Sequence, residues 1–167
     1  YFAGIGSYAG QLPARNFAVL DDGTPYGKGL ADGAAAQLPK ANKTVALRQS
    51  FDDKTTAFDE LAVKLKEAGV DGIVSTLNDF QVVALVEALR KAGHTQVALL
   101  GGDTLKTPTA FKAAGVLQGG LYATSPILEP REFPAGARFL EAYRAAYKTD
   151  PAYGGHYSYD AMHVLAS

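Results

Sequence analysis

The chain has 167 residues, 47% hydrophobic and 20% charged, with 16 Lys and Arg against 17 Asp and Glu, which suits one domain with a full core or one domain plus part of a second. Balanced charge gives no field for a polyanion, so no nucleic-acid partner is expected, and no apolar run approaches the roughly 20 residues that span a bilayer. Zero cysteines exclude disulfides, thiolate zinc sites and a cysteine nucleophile, and suit an oxidising compartment without identifying one.

In chain order, GIGSYA (4–9) satisfies G-x-G-x-x-A. The dinucleotide fingerprint needs a strand to deliver its glycine turn to a helix N-terminus, and only three residues precede Gly4. A helix packing against the first strand is expected instead. NFAVLD (16–21) is rich in β-formers, and PYGKGLADGAAAQL (25–38) follows with Ala and Leu at helical spacing. TVALRQS (44–50) repeats the strand pattern before TAFDELAVKLKEAG (56–69), where Thr56 stands three residues ahead of Asp59 as a capping box and Gly69 closes the helix. GIVST (72–76) and FQVVALVEALRKAG (80–93) form a third unit, with basic residues and Gly at the helix end. VALLGG (97–102) with a short helix at 107–114 is a fourth, and GGLYATS (119–125) is a fifth strand. Strands alternating with helices predict right-handed crossovers and a flavodoxin-like parallel α/β fold, five strands in order 2-1-3-4-5 with helices on both faces.

After Pro126 the pattern changes to a proline-punctuated loop, ILEPREFP, and two helical segments at 136–148 and 156–167 with no strand between them. A boundary is expected near 126–134, giving an α/β lobe over 1–126 and a helical tail over 127–167. In the tail, Phe139, Leu140, Tyr143 and Tyr147, then Tyr159, Met162, Val164 and Leu165, supply apolar surface for which the sequence offers no second core. The tail is expected either to pack on a second copy, as a homodimer or domain swap with ILEPREFP as hinge, or to fold back on a sheet edge.

With this strand order, ligands bind beyond the carboxyl ends of strands 1 and 3. Three loops meet that description: DDGTPY (21–26), TLNDF (76–80) and GGDT (101–104). Asp and Gly are also the ordinary residues of a strand-to-helix turn. Asp21-Asp22 invites two chemical readings. A haloacid-dehalogenase-type phosphatase needs Asp-x-Asp-Gly-Thr, and here the nucleophile position is Leu20. A receiver domain needs an acceptor Asp after strand 3 and a Lys after strand 5, where this chain has Ser75-Thr76 and Thr124-Ser125-Pro126. His94 follows a helix-ending Gly, and His156 and His163 are seven apart without a carboxylate pair nearby. No nucleophile elbow is present. No catalytic residue, metal site or cofactor is therefore expected. Asp79 and Phe80 read as a helix N-cap and its first buried residue.

VLDDGTPYGKGLAD, then FDDKTTAFDELAVKLKEAGVDGIV, ALLGGDTLKTPTAFKAAG, GLYATSP and YSYDAMHVLA, resemble in register the bacterial periplasmic binding proteins for branched-chain and related amino acids, the type I solute-binding proteins of ABC uptake systems. The resemblance runs from about Asn16 onward. It implies a binder whose two lobes close on a small solute and deliver it to a membrane permease, from a periplasmic or lipid-anchored extracytoplasmic position. It implies that Tyr26 lines the pocket and that Asp103, beside Thr104, receives the ligand's ammonium. Asn78 stands where relatives often carry an aromatic residue, a departure from a purely aliphatic preference. Asp21, Asp22, Asp79 and Phe80 are left to the pocket rim. It further implies a second lobe before Tyr1 and more chain after Ser167, so that this chain carries half a site. A ligand-sensing receptor ectodomain of the same fold is the alternative within this class, and a receiver-like phosphoryl acceptor the alternative outside it.

Overall fold

A computed structural model of the chain describes residues 2–166. Helix α1 (Phe2–Gln11) leads into strand β1 (Asn16–Asp21), α2 (Pro25–Gln37), β2 (Thr44–Ser50), α3 (Asp59–Glu67), β3 (Gly72–Thr76), α4 (Asp79–Lys91), β4 (Ala98–Gly101), α5 (Pro108–Ala114) and β5 (Leu121–Ala123). Two further helices follow, α6 (Pro134–Tyr147) and α7 (Gly155–Ala166). All strand pairs are parallel, in the expected order β2-β1-β3-β4-β5. The register puts Asp21 beside both Ser50 and Thr76, so the loops after β1, β2 and β3 leave the sheet at one edge.

Alternation along β1 explains why helices cover both faces. Phe17 and Val19 enter one cluster with Ile5 and Ala9 of α1, Leu30 and Ala34 of α2, and Val74 and Leu100. Ala18 and Leu20 point the other way, to Ile73, Leu99, Leu65 of α3, and Leu85 and Leu89 of α4. Every residue of β3 is buried, as a central parallel strand requires, whereas every residue of the edge strand β2 is exposed or half-buried.

Two of the three glycines of GIGSYAG, Gly6 and Gly10, serve packing, while Gly4 faces open space. A Cβ at Gly6 would collide with Ala34 and Gln37 of α2, and one at Gly10 with Ala41. The segment is the expected helix, and its small residues let α1 lie against α2. Gly69 and Gly93 close α3 and α4 with φ of +62° and +66°, the left-handed geometry that glycine adopts without strain.

One cap differs from expectation. Thr56 is not the N-cap of α3, which begins at Asp59 after Phe58. Phe58 is buried, its ring edge-on to Phe51 with centroids 5.1 Å apart; burial of this aromatic, rather than a side-chain cap, fixes where α3 starts.

The chain divides between Thr124 and Ser125 into two compact units. In the second, Arg131 lies in a one-turn 3-10 helix (Pro130–Glu132) ahead of α6. His156 is buried there, its Nε2 3.0 Å from the Leu128 carbonyl and its ring beside Phe133. No helix of the described residues is long and apolar enough to cross a membrane.

Candidate functional site

The carboxyl edge of the sheet is organised around the turn from β1 into α2. Asp21 is wholly buried. Its Oδ1 accepts the Gly23 amide at 2.8 Å, and its Oδ2 accepts the Ser50 hydroxyl at 2.8 Å and the Arg48 guanidinium. Arg48 reaches on to Asp32 of α2 through Nη2 at 2.7 Å. Burial by itself lowers the guanidinium's pKa, but hydrogen bonds and attraction from Asp32 and Asp21 outweigh it, and the net shift is upward. Asp21 is therefore not a rim residue: an isolated carboxylate here would be costly, and Arg48 compensates it.

Asp22 shapes the turn itself. Its Oδ1 accepts from the Thr24 amide at 3.1 Å and from the Thr24 hydroxyl at 2.7 Å, while Thr24 Oγ1 accepts the Gly27 amide at 3.0 Å as N-cap of α2. Pro25 occupies the first helical turn, where its missing N–H costs nothing. This geometry presents Tyr26, 44% exposed, whose hydroxyl donates to Asp103 Oδ1 at 2.8 Å. Asp103 opens a one-turn 3-10 helix (Asp103–Leu105) after β4. The structure thus joins two of the sequence-predicted residues, 77 positions apart, in one phenol–carboxylate pair.

The third loop differs in detail. Asn78, not Asp79, is the N-cap of α4. Gln81 Oε1 accepts from the Asn78 amide at 3.1 Å and from Asn78 Nδ2 at 3.4 Å. Asp79 is the first helical residue, and its Oδ1 accepts the Phe80 amide at 2.8 Å. Phe80 is 47% exposed rather than buried. The capping box sets the helix one residue earlier than the acidic side chain suggested, and this turns Phe80 away from the core. Thr104 Oγ1 donates to the Leu77 carbonyl at 3.2 Å.

Sequence reasoning missed a fourth loop. Gln81 is buried, and its Nε2 donates to the carbonyls of Asp52 and Thr55, both at 3.0 Å, fastening the β2–α3 loop to the start of α4. The strand order alone pointed to it, since β2 lies beside β1. A pattern runs along the whole edge: each adjacent strand pair is joined at its carboxyl end by a side-chain hydroxyl. Ser50 reaches Asp21, Thr76 reaches the Leu20 carbonyl at 3.3 Å, Thr104 reaches Leu77, and Thr124 reaches the Gly101 carbonyl at 3.2 Å. Among the described residues no group of His, Asp and Glu could hold a metal ion. The edge offers a fixed carboxylate, a phenol and exposed aromatic surface, a set that suits binding a small polar solute.

A family model described as periplasmic binding protein matches residues 1–167, and the chain belongs to that family. It is 28% identical over 166 residues to Leu/Ile/Val-binding protein homolog 1 of Brucella suis, covering 96% of this chain and 44% of that protein. Among solved structures it resembles a leucine-binding protein from Thermotoga maritima, with TM-score 0.83 and 24% identity over 98% of this chain and 47% of the other. A solute-binding protein of an ABC transporter from Rhodopseudomonas palustris, in complex with 3,4-dihydroxybenzoic acid, matches with TM-score 0.75 and 13% identity over 98% of this chain and 46% of the other. At these identities the two structures establish a shared fold. The chain spans less than half the length of these relatives.

Proposed function

We propose that this chain is one lobe of the solute-binding component of an ABC uptake system, that it grips an amino acid, branched-chain or related, and that it works by capture and lobe closure rather than catalysis. The observation that carries the reading is the Tyr26–Asp103 pair at the carboxyl edge of the sheet. A carboxylate held by a phenol accepts an ammonium group in a charge-assisted bond and repels the carboxylate of a solute that has no ammonium group. That favours an amino acid over an aromatic acid of the kind bound by the Rhodopseudomonas protein. Family membership and the Leu/Ile/Val-binding relatives support the same class. Asn78 and Thr104 flank the pair as further polar contacts, with Asp22, Asp79 and Phe80 at the margin. The partner is a membrane permease, and the location is periplasmic, or extracytoplasmic and lipid-anchored, a reading supported by the family.

The helices after Ser125 carry a second part of the proposal, association with another copy of the chain. Exposed Tyr147, Tyr159 and Met162 support it, together with an open apolar groove of about 630 Å³ between α6 and α7.

The test of the ligand reading is an NMR titration of the chain with leucine and, separately, with 3,4-dihydroxybenzoate. One lobe offers half a site, so leucine binds weakly, with dissociation constants on the order of millimolar, and perturbs the Tyr26 ring and the Asp103 carboxyl. Asp103→Ala weakens this by about tenfold, roughly 1.4 kcal/mol. Equal response to both compounds, or a leucine dissociation constant unchanged in Asp103→Ala, would overturn the assignment.

A further inference from the structure

Thr76 ends β3 and is 4% exposed, so it is shielded from any ligand at the edge. Its hydroxyl nevertheless lies within reach of two carbonyls on two other elements: Leu20 of β1 at 3.3 Å and Gly27 of α2 at 2.8 Å. The second contact is unusual, because a carbonyl in the first turn of a helix already receives a backbone amide from the following turn. The extra donor fastens that turn to the sheet. Gly27 follows Tyr26, and its own surroundings leave no slack: a Cβ there would collide with the Asp22 carboxylate and press on Thr24. The first turn of α2 is thus held from β3 by Thr76 and from the preceding turn by Asp22 and Thr24.

We propose that Thr76 is a positioning residue for the ligand site, its buried hydroxyl setting the place of Tyr26 and, through the Tyr26–Asp103 bond, the orientation of the Asp103 carboxylate. The consequence for binding rests on Tyr26 and Asp103 being ligand contacts; the consequence for Tyr26 itself does not. The relay has three links, two hydrogen bonds and one covalent step: Thr76 to the Gly27 carbonyl at 2.8 Å, Gly27 to the adjacent Tyr26 along the chain, and the Tyr26 phenol to Asp103 at 2.8 Å. Because the hydroxyl is buried, no water replaces its single proton when it is removed, and the Gly27 carbonyl, its nearer acceptor at 2.8 Å, loses that extra donor without gaining another.

Thr76→Val keeps the shape of the side chain and deletes the hydroxyl; Thr76→Ser keeps the hydroxyl. In Thr76→Val the Tyr26 ring and Asp103 carboxyl resonances move while those of Tyr8 and Tyr122, whose rings pack on each other, stay in place, and leucine binding weakens by about threefold to tenfold. Thr76→Ser restores both. A Thr76→Val protein that is only less heat-stable, with Tyr26 and Asp103 unmoved, overturns the proposal, as does a Thr76→Ser protein that shifts Tyr26 as far as the valine variant. If leucine binds neither protein yet Tyr26 moves in Thr76→Val, the amino-acid reading fails and the positioning role stands. Should Thr76→Val not fold, the unmodified chain still decides: the Thr76 hydroxyl proton is expected to exchange slowly and to show a cross-relaxation contact with Gly27, and exchange at the solvent-exposed rate overturns the assignment.

Discussion

In the first unit Phe17, Ile73 and Leu85 are inaccessible to solvent, each between a sheet and a helix. Among the described residues of the second unit only Gly136, Leu140 and His156 are buried, while Val164 and Leu165 are 74% and 81% exposed. Both units contain helices with the same kind of apolar stripe. The difference lies in what the stripe meets. A sheet offers two faces, and five helices divide them; α6 and α7 have each other and a proline-rich loop. Helical periodicity therefore tells which side of a helix is apolar and leaves its partner undetermined.

The largest expected effect sharpens this contrast. Phe17→Ala removes a ring that fills the space over Gly72, where a Cβ would collide with it, and should cost about 3–5 kcal/mol of stability. Leu165→Ala should change stability by no more than about 0.5 kcal/mol. Urea unfolding followed by circular dichroism compares them directly. Similar losses for the two variants would mean that the helical unit has a core of its own weight.

A smaller effect concerns association. If the stripe of α6 and α7 seeks a partner, light scattering at micromolar concentration should give a mass above that of the monomer, and Met162→Asp should return it to the monomer while leaving the strand amides unchanged. Met162 lines the groove and is 65% exposed, so the charge is tolerated in the free chain and penalised only where the groove is covered. A monomer for the unmodified chain ends the association proposal.

How far the sequence led can be judged residue by residue. The continuous apolar run Phe17–Leu20 in NFAVLD and the β-branched Ile73 and Val74 of GIVST were legible as central strands, because burial on two faces favours short apolar runs over alternation. The glycines near the start were recognisable as a false fingerprint, though the use of Gly6 in seating α1 on α2 depends on a tertiary contact that no local spacing encodes. Caps were harder to read. Asp79 looked like the N-cap of α4, but the reciprocal bonds of Asn78 and Gln81 decide the boundary, and Phe80 turns outward as a result. Tyr26 and Asp103 could be assigned to the same sheet edge from strand order, whereas the bond between them depends on tertiary geometry that no local spacing encodes. Thr76 left no signal at all, since a threonine at the end of a strand is ordinary until its carbonyl partners are known.

The smallest effect tests the outermost part of the contrast, the end of α6. Arg144 in its last turn pairs with Asp150 through Nε and, at 3.0 Å, through Nη2, just beyond Lys148, which turns the chain in the left-handed conformation with φ of +59°. The hydrogen bond from Arg144, with its charge and that of Arg131, holds the Asp150 carboxyl below its ordinary value, against a weaker opposing pull from desolvation. A carboxyl whose pKa is depressed on folding contributes stability that is fully present above its unfolded value, near 3.8, and is lost as the pH falls through the lower folded value. Both partners are solvent-exposed, so the contribution is local and is screened by salt. Amides at the end of α6 should accordingly exchange faster as the pH drops below about 4, after correction for the intrinsic rate, and Asp150→Asn should show the faster rate already at neutral pH with no further acid response in that range. The strands of the sheet should be unaffected in both proteins. Equal acid loosening of the α6 end in the Asn variant would assign the effect to another carboxylate and remove Asp150 as the clasp of that helix.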